Sequence, residues 1–115
     1  MSKVNTCGEW TATLYSEEEG RNRLKVHGQC TFPTPGFKVH LRRKDPQGIN
    51  PKVLLLDKTV IAPTGIEPEH VVTIPVSFEE HTNVHYDEVE VFPDGTRIHV
   101  KEARVVETQR SASGR

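Results

Sequence analysis

The sequence predicts an all-β protein, and three patterns support this prediction. Apolar and polar residues alternate along six separate segments, which is the period of a half-buried strand. No apolar stripe of helical period runs for more than two turns. Residues typical of turns separate the segments, and Asp94-Gly95 lies between two alternating runs, where it indicates a hairpin. These patterns predict a seven-stranded antiparallel β-sandwich.

The first two strands are predicted at about residues 9–15 and 23–32, as a hairpin around Glu19. The second strand is the clearest of all, because apolar and polar side chains alternate five times in succession. In this register Cys7 and Cys30 point to opposite faces, and cysteines on opposite faces cannot form a bond. The sequence therefore predicts two free thiols.

The next three strands are predicted at about residues 37–43, 52–61 and 70–78. The fourth carries a continuous apolar run, for which a short helical turn is the alternative interpretation. Pro75 has no backbone N–H, so the fifth strand is expected at an edge or with a bulge. Irregular loops that contain proline and glycine follow the third and the fourth strand.

The last two strands are predicted as a hairpin with Asp94 and Gly95 as a two-residue turn, both at positive φ. Counting outward from that turn places Ile98 opposite Val91 and puts the apolar side chains of both strands on one face. The apolar face then changes sides near Asp87, which predicts a bend, a bulge or a second covering layer.

Together the segments predict one domain over residues 8–108, between a flexible start at 1–7 and a disordered tail at 109–115. The number and spacing of the strands favour an immunoglobulin-like or fibronectin-like arrangement, with a small closed β-barrel as the alternative. Trp10 lies on the first strand, so the Cys–Trp–Cys pattern of true immunoglobulin domains is missing. The architecture is therefore inferred from the strand pattern and not from a motif.

The composition excludes several classes of protein. The net charge is -1, so no global attraction to nucleic acid or to a membrane surface is expected. No apolar run approaches the roughly 20 residues that a membrane-spanning helix needs. The start of the chain has no apolar segment typical of a secretory signal. We therefore expect no membrane association and a cytoplasmic location.

Enzymatic motifs are also missing, and no cofactor is expected. Neither Ser16 nor Ser77 lies in a Gly-x-Ser-x-Gly elbow, and no glycine-rich phosphate loop is present. His81 and His85, with Asp87 near them, are weak candidates for metal ligands, because their spacing matches no zinc signature. An enzyme at this cluster is the least favoured hypothesis.

One surface of the predicted sheet is basic, and it is the candidate for binding an anion or nucleic acid. If the second and third strands form a hairpin, their outward cations lie side by side, which costs stability and favours an anionic partner. If their connection arches between two sheets, the patch is split. The residues of this candidate site are Lys25, His27, Lys38, His40, Arg42, Arg43 and Lys44.

The remaining hypothesis is a non-enzymatic binding or structural module whose partner is another protein. Its recognition surface is predicted in loops 44–51 and 62–69, because long loops on a rigid β scaffold are where such folds bind their partners. This hypothesis ranks above the anion-binding and the enzymatic ones.

Overall fold

The protein is described by a computed structural model, which covers residues 5–17 and 21–104. These residues contain seven strands and no helix, so the prediction of an all-β fold with seven strands is confirmed. Accordingly, no helix capable of crossing a membrane occurs in this part of the chain. The predicted tail at 109–115 lies outside the described residues. The strands are β1 Thr6–Ser16, β2 Asn22–Phe32, β3 Lys38–Arg43, β4 Val53–Ile61, β5 Val72–Thr82, β6 Glu88–Phe92 and β7 Thr96–Arg104.

The strands form one mixed sheet in the order β3-β4-β6-β7-β1-β2-β5. The sheet is rolled so that its two edge strands, β3 and β5, come into contact and nearly close a barrel. Strands β1 and β7 are parallel, and so are β4 and β6, so the prediction of an entirely antiparallel arrangement is wrong. The reason is that alternation of apolar and polar residues defines the faces of a strand and contains no information about the direction of its neighbour.

The core lies inside the rolled sheet. Every second residue of β2 faces inward, as its alternation predicts. The apolar run of β4 is explained by cover on both sides: Leu54 and Leu56 are fully buried inside, and loop 44–51 folds over the outward Leu55. The buried apolar residues are Ala12, Leu14, Leu24, Val26, Cys30, Phe32, Leu54, Leu56, Val76, Tyr86, Val89, Val91, Ile98 and Val100.

Cys7 and Cys30 form a disulfide bond, so the prediction of free thiols is wrong. From Thr11 to Ser16 the pairing of β1 with β2 follows the predicted hairpin around residue 19. Between Gly8 and Thr11 the register shifts by one residue. This β-bulge reverses the side to which the earlier residues of β1 point. Cys7 therefore lies directly opposite Cys30, on the same face.

The β6–β7 hairpin has a longer turn than the two-residue turn predicted from Asp94-Gly95. Val91 pairs with Thr96, so four residues lie between the last paired positions, and Ile98 lies opposite Val89 instead of Val91. The predicted register is therefore wrong by two residues. Because a shift of two preserves the faces of a strand, the apolar side chains still point inward. Gly95 has a positive φ of 77°, as predicted, whereas Asp94 does not.

The sequence predicted that the apolar face changes sides near Asp87 within a strand. In the structure a strand begins there instead. Strand β6 begins at Glu88, and the chain before it forms an irregular segment in which Tyr86 is buried and Val84 is exposed. Strand β5 lies at an edge, as Pro75 predicts, and pairs only with β2. At the start of the chain, β1 already begins at Thr6, within the range predicted to be flexible.

Strands β3 and β5 meet along a seam that has no backbone ladder in the described structure. One ion pair crosses it, because Arg43 Nη1 on β3 donates to Glu80 Oε2 on β5 at 2.7 Å. Arg43 Nη1 also lies 3.4 Å from Tyr86 Oη. The hydrogen bond with Tyr86, together with the charge of Glu80, raises the pKa of Arg43 above its ordinary value. The seam is thus connected by side chains alone.

Candidate functional site

The two loops predicted to carry recognition lie at opposite ends of the barrel. Loop 44–51 precedes β4 and loop 62–69 follows it, so the nine residues of this strand separate them. At about 3.3 Å per residue, that separation is roughly 30 Å. The loops therefore form two surfaces and cannot contribute to a single one.

The end of the barrel at loop 62–69 exposes a group of apolar side chains. The described part of the chain has six exposed large hydrophobic residues, and four of them fall between positions 60 and 71. They are Val60 at 42%, Ile61 at 46%, Ile66 at 102% and Val71 at 59% of full exposure. We call these four residues the apolar patch. Exposed apolar residues are common singly, and the concentration of four of them at one end of β4 makes this end of the barrel a candidate interaction site.

The loop that bears Ile66 is fixed to the barrel at both ends. Near its start, Pro63 packs so closely on Gly36 that a Cβ at Gly36 would lie 2.9 Å from Pro63 Cβ. Gly36 has a φ of 100°, which other residues rarely adopt. Just after the loop, the His70 N–H donates to Pro33 O at 3.0 Å. The loop therefore presents Ile66 from two anchored ends.

Loop 44–51 is also ordered by specific contacts. The Gln47 side-chain amide donates to Lys44 O at 2.6 Å and to Leu55 O at 2.8 Å, and its Oε1 accepts from Leu55 N–H at 2.9 Å. Ile49 extends beyond this fastened segment and is completely exposed. Beside it lies a groove of about 220 Å³ with Leu55 and Phe92 in its wall. A second, smaller apolar surface thus exists at this end.

The basic residues predicted as one anion-binding face are divided in the structure. Strands β2 and β3 are not neighbours in the sheet, because β2 pairs with β1 and β5 while β3 pairs with β4. The hairpin alternative is therefore wrong and the basic patch is split, although β2 and β3 belong to one sheet and not to two. Lys25 lies opposite Glu79 in the β2–β5 ladder, and His27 lies opposite Ser77.

Acidic partners further reduce the charge of this candidate site. Arg43 forms the ion pair with Glu80 across the seam. Lys44 Nζ lies 3.7 Å from Asp57 Oδ1, and Arg42 is opposite the same aspartate in the β3–β4 ladder. On β3, Lys38 and His40 point outward and are exposed. The structure thus distributes these residues over separate places, most of which have carboxylates beside them.

The weak metal candidates His81, His85 and Asp87 lie near the other end of the barrel. His85 Nδ1 is 3.2 Å from Glu102 Oε2, and its Nε2 is 3.5 Å from the amide nitrogen of the buried Asn22. His81 is exposed near the end of β5, opposite Arg23. Across residues 5–17 and 21–104, no three His, Cys, Asp or Glu side chains are arranged to hold a metal ion.

Comparison with known proteins gives no assignment. No family model matches this chain, and no match is found among curated proteins or solved structures. The functional conclusion therefore depends on the chemistry of the chain itself.

The sequence predicted the positions of the loops but not which apolar side chains are exposed in and beside them. Ile66 and Ile49 are isolated apolar residues within Pro/Gly segments, where no strand alternation gives them a buried position. Their isolation was the signal from which their exposure could have been predicted. Val60, Ile61 and Val71 carried no such signal, because their exposure results from their position at strand ends, beyond the cover of the core.

Proposed function

We propose that this protein is a non-enzymatic binding module that recognises another protein, mainly through the apolar patch at loop 62–69. The observation that carries the proposal is the exposure of Ile66, which is complete, within a group of four exposed apolar residues. Burying such side chains against a partner is favourable by about 25 cal/mol per Å² of apolar surface. The smaller surface around Ile49 is a second contact region of the same module.

The surroundings of the patch support protein recognition. Glu67, Glu69 and His70 lie within the same segment, and Lys38 pairs with Ile61. Apolar side chains at the centre with charged groups around them are typical of protein interfaces. The two anchors of the loop also lower the cost of ordering it when a partner binds. Immunoglobulin-like modules use a rigid β scaffold with loops at its ends in the same way, and we apply that analogy only to the mode of recognition.

The location of the protein is part of this proposal. A disulfide bond between Cys7 and Cys30 persists best in an oxidising environment, and most cytosolic proteins keep their thiols reduced. We therefore favour an oxidising compartment over the cytoplasmic location that the sequence suggested.

The test compares proteins retained from an extract of the source cells by the immobilised wild type and by single-residue variants. Ile66→Ser and Val71→Ser remove apolar surface from the patch, whereas Val84→Ser removes an exposed valine elsewhere, at 39% of full exposure. Surface substitutions of this kind change stability by about 0.5 kcal/mol or less, so folding is preserved. Circular dichroism of each variant verifies this.

We expect the same partner to be lost at least about tenfold from both patch variants and retained by Val84→Ser, since tenfold corresponds to 1.4 kcal/mol of binding. An Ile49→Ser variant measures the contribution of the other end. Equal retention by wild type, Ile66→Ser and Val71→Ser would show that the patch is not the recognition surface.

A further inference from the structure

A cleft opens where strands β1 and β7 separate. The parallel pairing of the two strands begins at Ala12 and Val100 and continues to their ends. Before these residues, Thr96–His99 of β7 pair with β6 but not with β1. The space between the strands is a cleft of about 420 Å³. This volume lies within the range of small-molecule sites, roughly 300–1,000 Å³.

The bulge in β1 explains the opening. It falls at Glu9 and Trp10, which both lie opposite Gly28 of β2, and Glu9 has a positive φ of 54°. The Trp10 ring packs directly over Gly28, so closely that a Cβ there would overlap the ring. The start of β1 is thereby held to β2, and the side of β7 that would pair with it is left open.

The lining of the cleft combines apolar and basic groups. Trp10 is the half-buried apolar side chain of the lining, and the apolar residues Ala12 and Ile98 behind it are almost completely buried. Arg97, His99 and Lys101 are exposed and lie along the β7 side. Among the described residues that line the cleft, none is acidic, although the whole chain has a net charge of -1. Because Glu88 and Glu90 neutralise Arg97, and Glu88 also lies opposite His99 in the β6–β7 ladder, the positive charge of the cleft comes from Lys101.

Two of these groups are suited to act on a ligand. Arg97 already donates to Glu88 at 2.8 Å and to Glu90 at 3.2 Å, so Lys101 and His99 are the basic side chains of the lining that remain. Trp10, which lines the cleft, has a buried Nε1 without a hydrogen-bond partner within the described structure. Unsatisfied buried donors are rare in folded proteins, and an acceptor at this position would remove the cost.

From these contacts we propose that the cleft binds a small organic anion, a carboxylate attached to an apolar or aromatic body. The body packs against Trp10, and the carboxylate accepts hydrogen bonds from Lys101 and His99. Charged hydrogen bonds of this kind are about twice as strong as neutral ones, so the site discriminates against a neutral analogue of the same shape. This site is separate from the apolar patch and does not depend on it.

Trp10 provides a direct readout, because it is the single tryptophan of the chain. In a ¹⁵N-labelled protein its indole N–H gives one resolved signal. The probes are 3-phenylpropanoate and its neutral counterpart, 3-phenylpropanamide. We expect the carboxylate to shift the Trp10 signal in a saturable way and the amide to bind about tenfold more weakly or not at all.

Variants of two exposed lysines complete the experiment. Lys101→Gln should weaken binding of 3-phenylpropanoate about tenfold, whereas Lys25→Gln, on β2, should leave it unchanged. Ile66→Ser should also leave it unchanged, so failure here is distinguishable from failure of the protein-binding proposal. No shift at 10 mM probe (about the mM limit of weak binding), equal binding of the amide, or equal loss in both lysine variants would overturn the proposal.

Discussion

Lys58 is a charged residue in an enclosed position, and its contacts explain how its charge is tolerated. Its side chain is only 9% exposed, because it points inward near the end of β4. Its ammonium group donates to Asp94 Oδ2 in the β6–β7 turn and to Cys7 Sγ at 3.3 Å. A largely enclosed ammonium needs such partners, because loss of its counter-charge leaves it both unsolvated and unpaired.

We therefore predict that Asp94→Asn destabilises the protein. Asn-Gly favours the same turns as Asp-Gly, so turn geometry alone predicts no effect. Loss of the carboxylate beside Lys58 should nevertheless lower the free energy of unfolding by about 1–3 kcal/mol. The measurement is the denaturant midpoint. Asp87→Asn, at an exposed aspartate, is the matched control and should be neutral within about 0.5 kcal/mol.

The double variant tests the cause of that loss. If Lys58 is responsible, Asp94→Asn should cost less in a Lys58→Met background than in the wild type, since no unpaired charge is left behind. An Asp94→Asn midpoint identical to the wild type would mean that this ion pair contributes nothing to stability. The pair itself could not be predicted from the sequence, because it depends on how closely β4 approaches the turn in space.

At the scale of elements, strand alternation predicted β1 and β2 well and failed at one point. The register from Thr11 to Ser16 agrees with a hairpin around residue 19, and the inward face of β2 is as predicted. The bulge at Glu9 could not be recognised from the sequence, because the positive φ there is adopted by a glutamate and not by a glycine. One extra residue in β1 therefore reversed the prediction for Cys7.

The disulfide between these strands should contribute substantially to stability. It closes a loop with a sequence separation of 23. The chain-entropy model then gives about 3 kcal/mol, provided that the reduced chain is fully unfolded in the reference state. Addition of a reductant, or the Cys7→Ala/Cys30→Ala variant, should lower the denaturant midpoint accordingly.

Intact mass after alkylation tests the bond itself. Without reductant we expect no label on the folded or on the denatured protein, and two labels once a reductant is added. Two labels on the denatured, unreduced protein would show that both thiols are free, as the simple alternation had predicted.

At the scale of the whole molecule, the least protected part of the barrel is its seam. Strand β3 pairs with β4 alone, whereas β2 is paired on both sides and carries buried residues along its length. Local opening depends on such contacts, so backbone amides of β3 should exchange with solvent well before those of β2. Hydrogen exchange resolved by residue measures the difference.

Two adjacent glutamates of β5 allow the ion pair at the seam to be tested against a matched ion pair away from it. Glu80 pairs with Arg43 across the seam, and Glu79 pairs with Arg23 on the neighbouring, fully paired strand at 2.9 Å. Glu80→Gln should speed amide exchange in β3 about two- to fivefold, as expected for a partly exposed ion pair worth about 0.5–1 kcal/mol. Glu79→Gln should not change it. Equal effects of both variants in β3 would contradict a special role for the seam.

The sequence thus predicted the strands, most inward faces and the two loops, all of which depend on local patterns. It did not predict the sheet order or the two parallel pairings, which join segments far apart in the chain. The candidate sites divide in the same way. Loop positions were predictable, whereas the separation of Lys25 from Lys38 and the cleft beside Trp10 depend on which strands become neighbours.

The placement of Ile49 and Ile66 at opposite ends of β4 gives the barrel a measurable span. Two bodies bound at these positions would be held roughly 30 Å apart, a distance determined by the nine residues of one strand. Lengthening β4 by two residues would increase this spacing by about 7 Å and keep every side chain on its face. An odd number would instead turn the apolar side chains of β4 outward. The spacing of the two loops can therefore be changed only in steps of two residues if the faces of β4 are to be preserved.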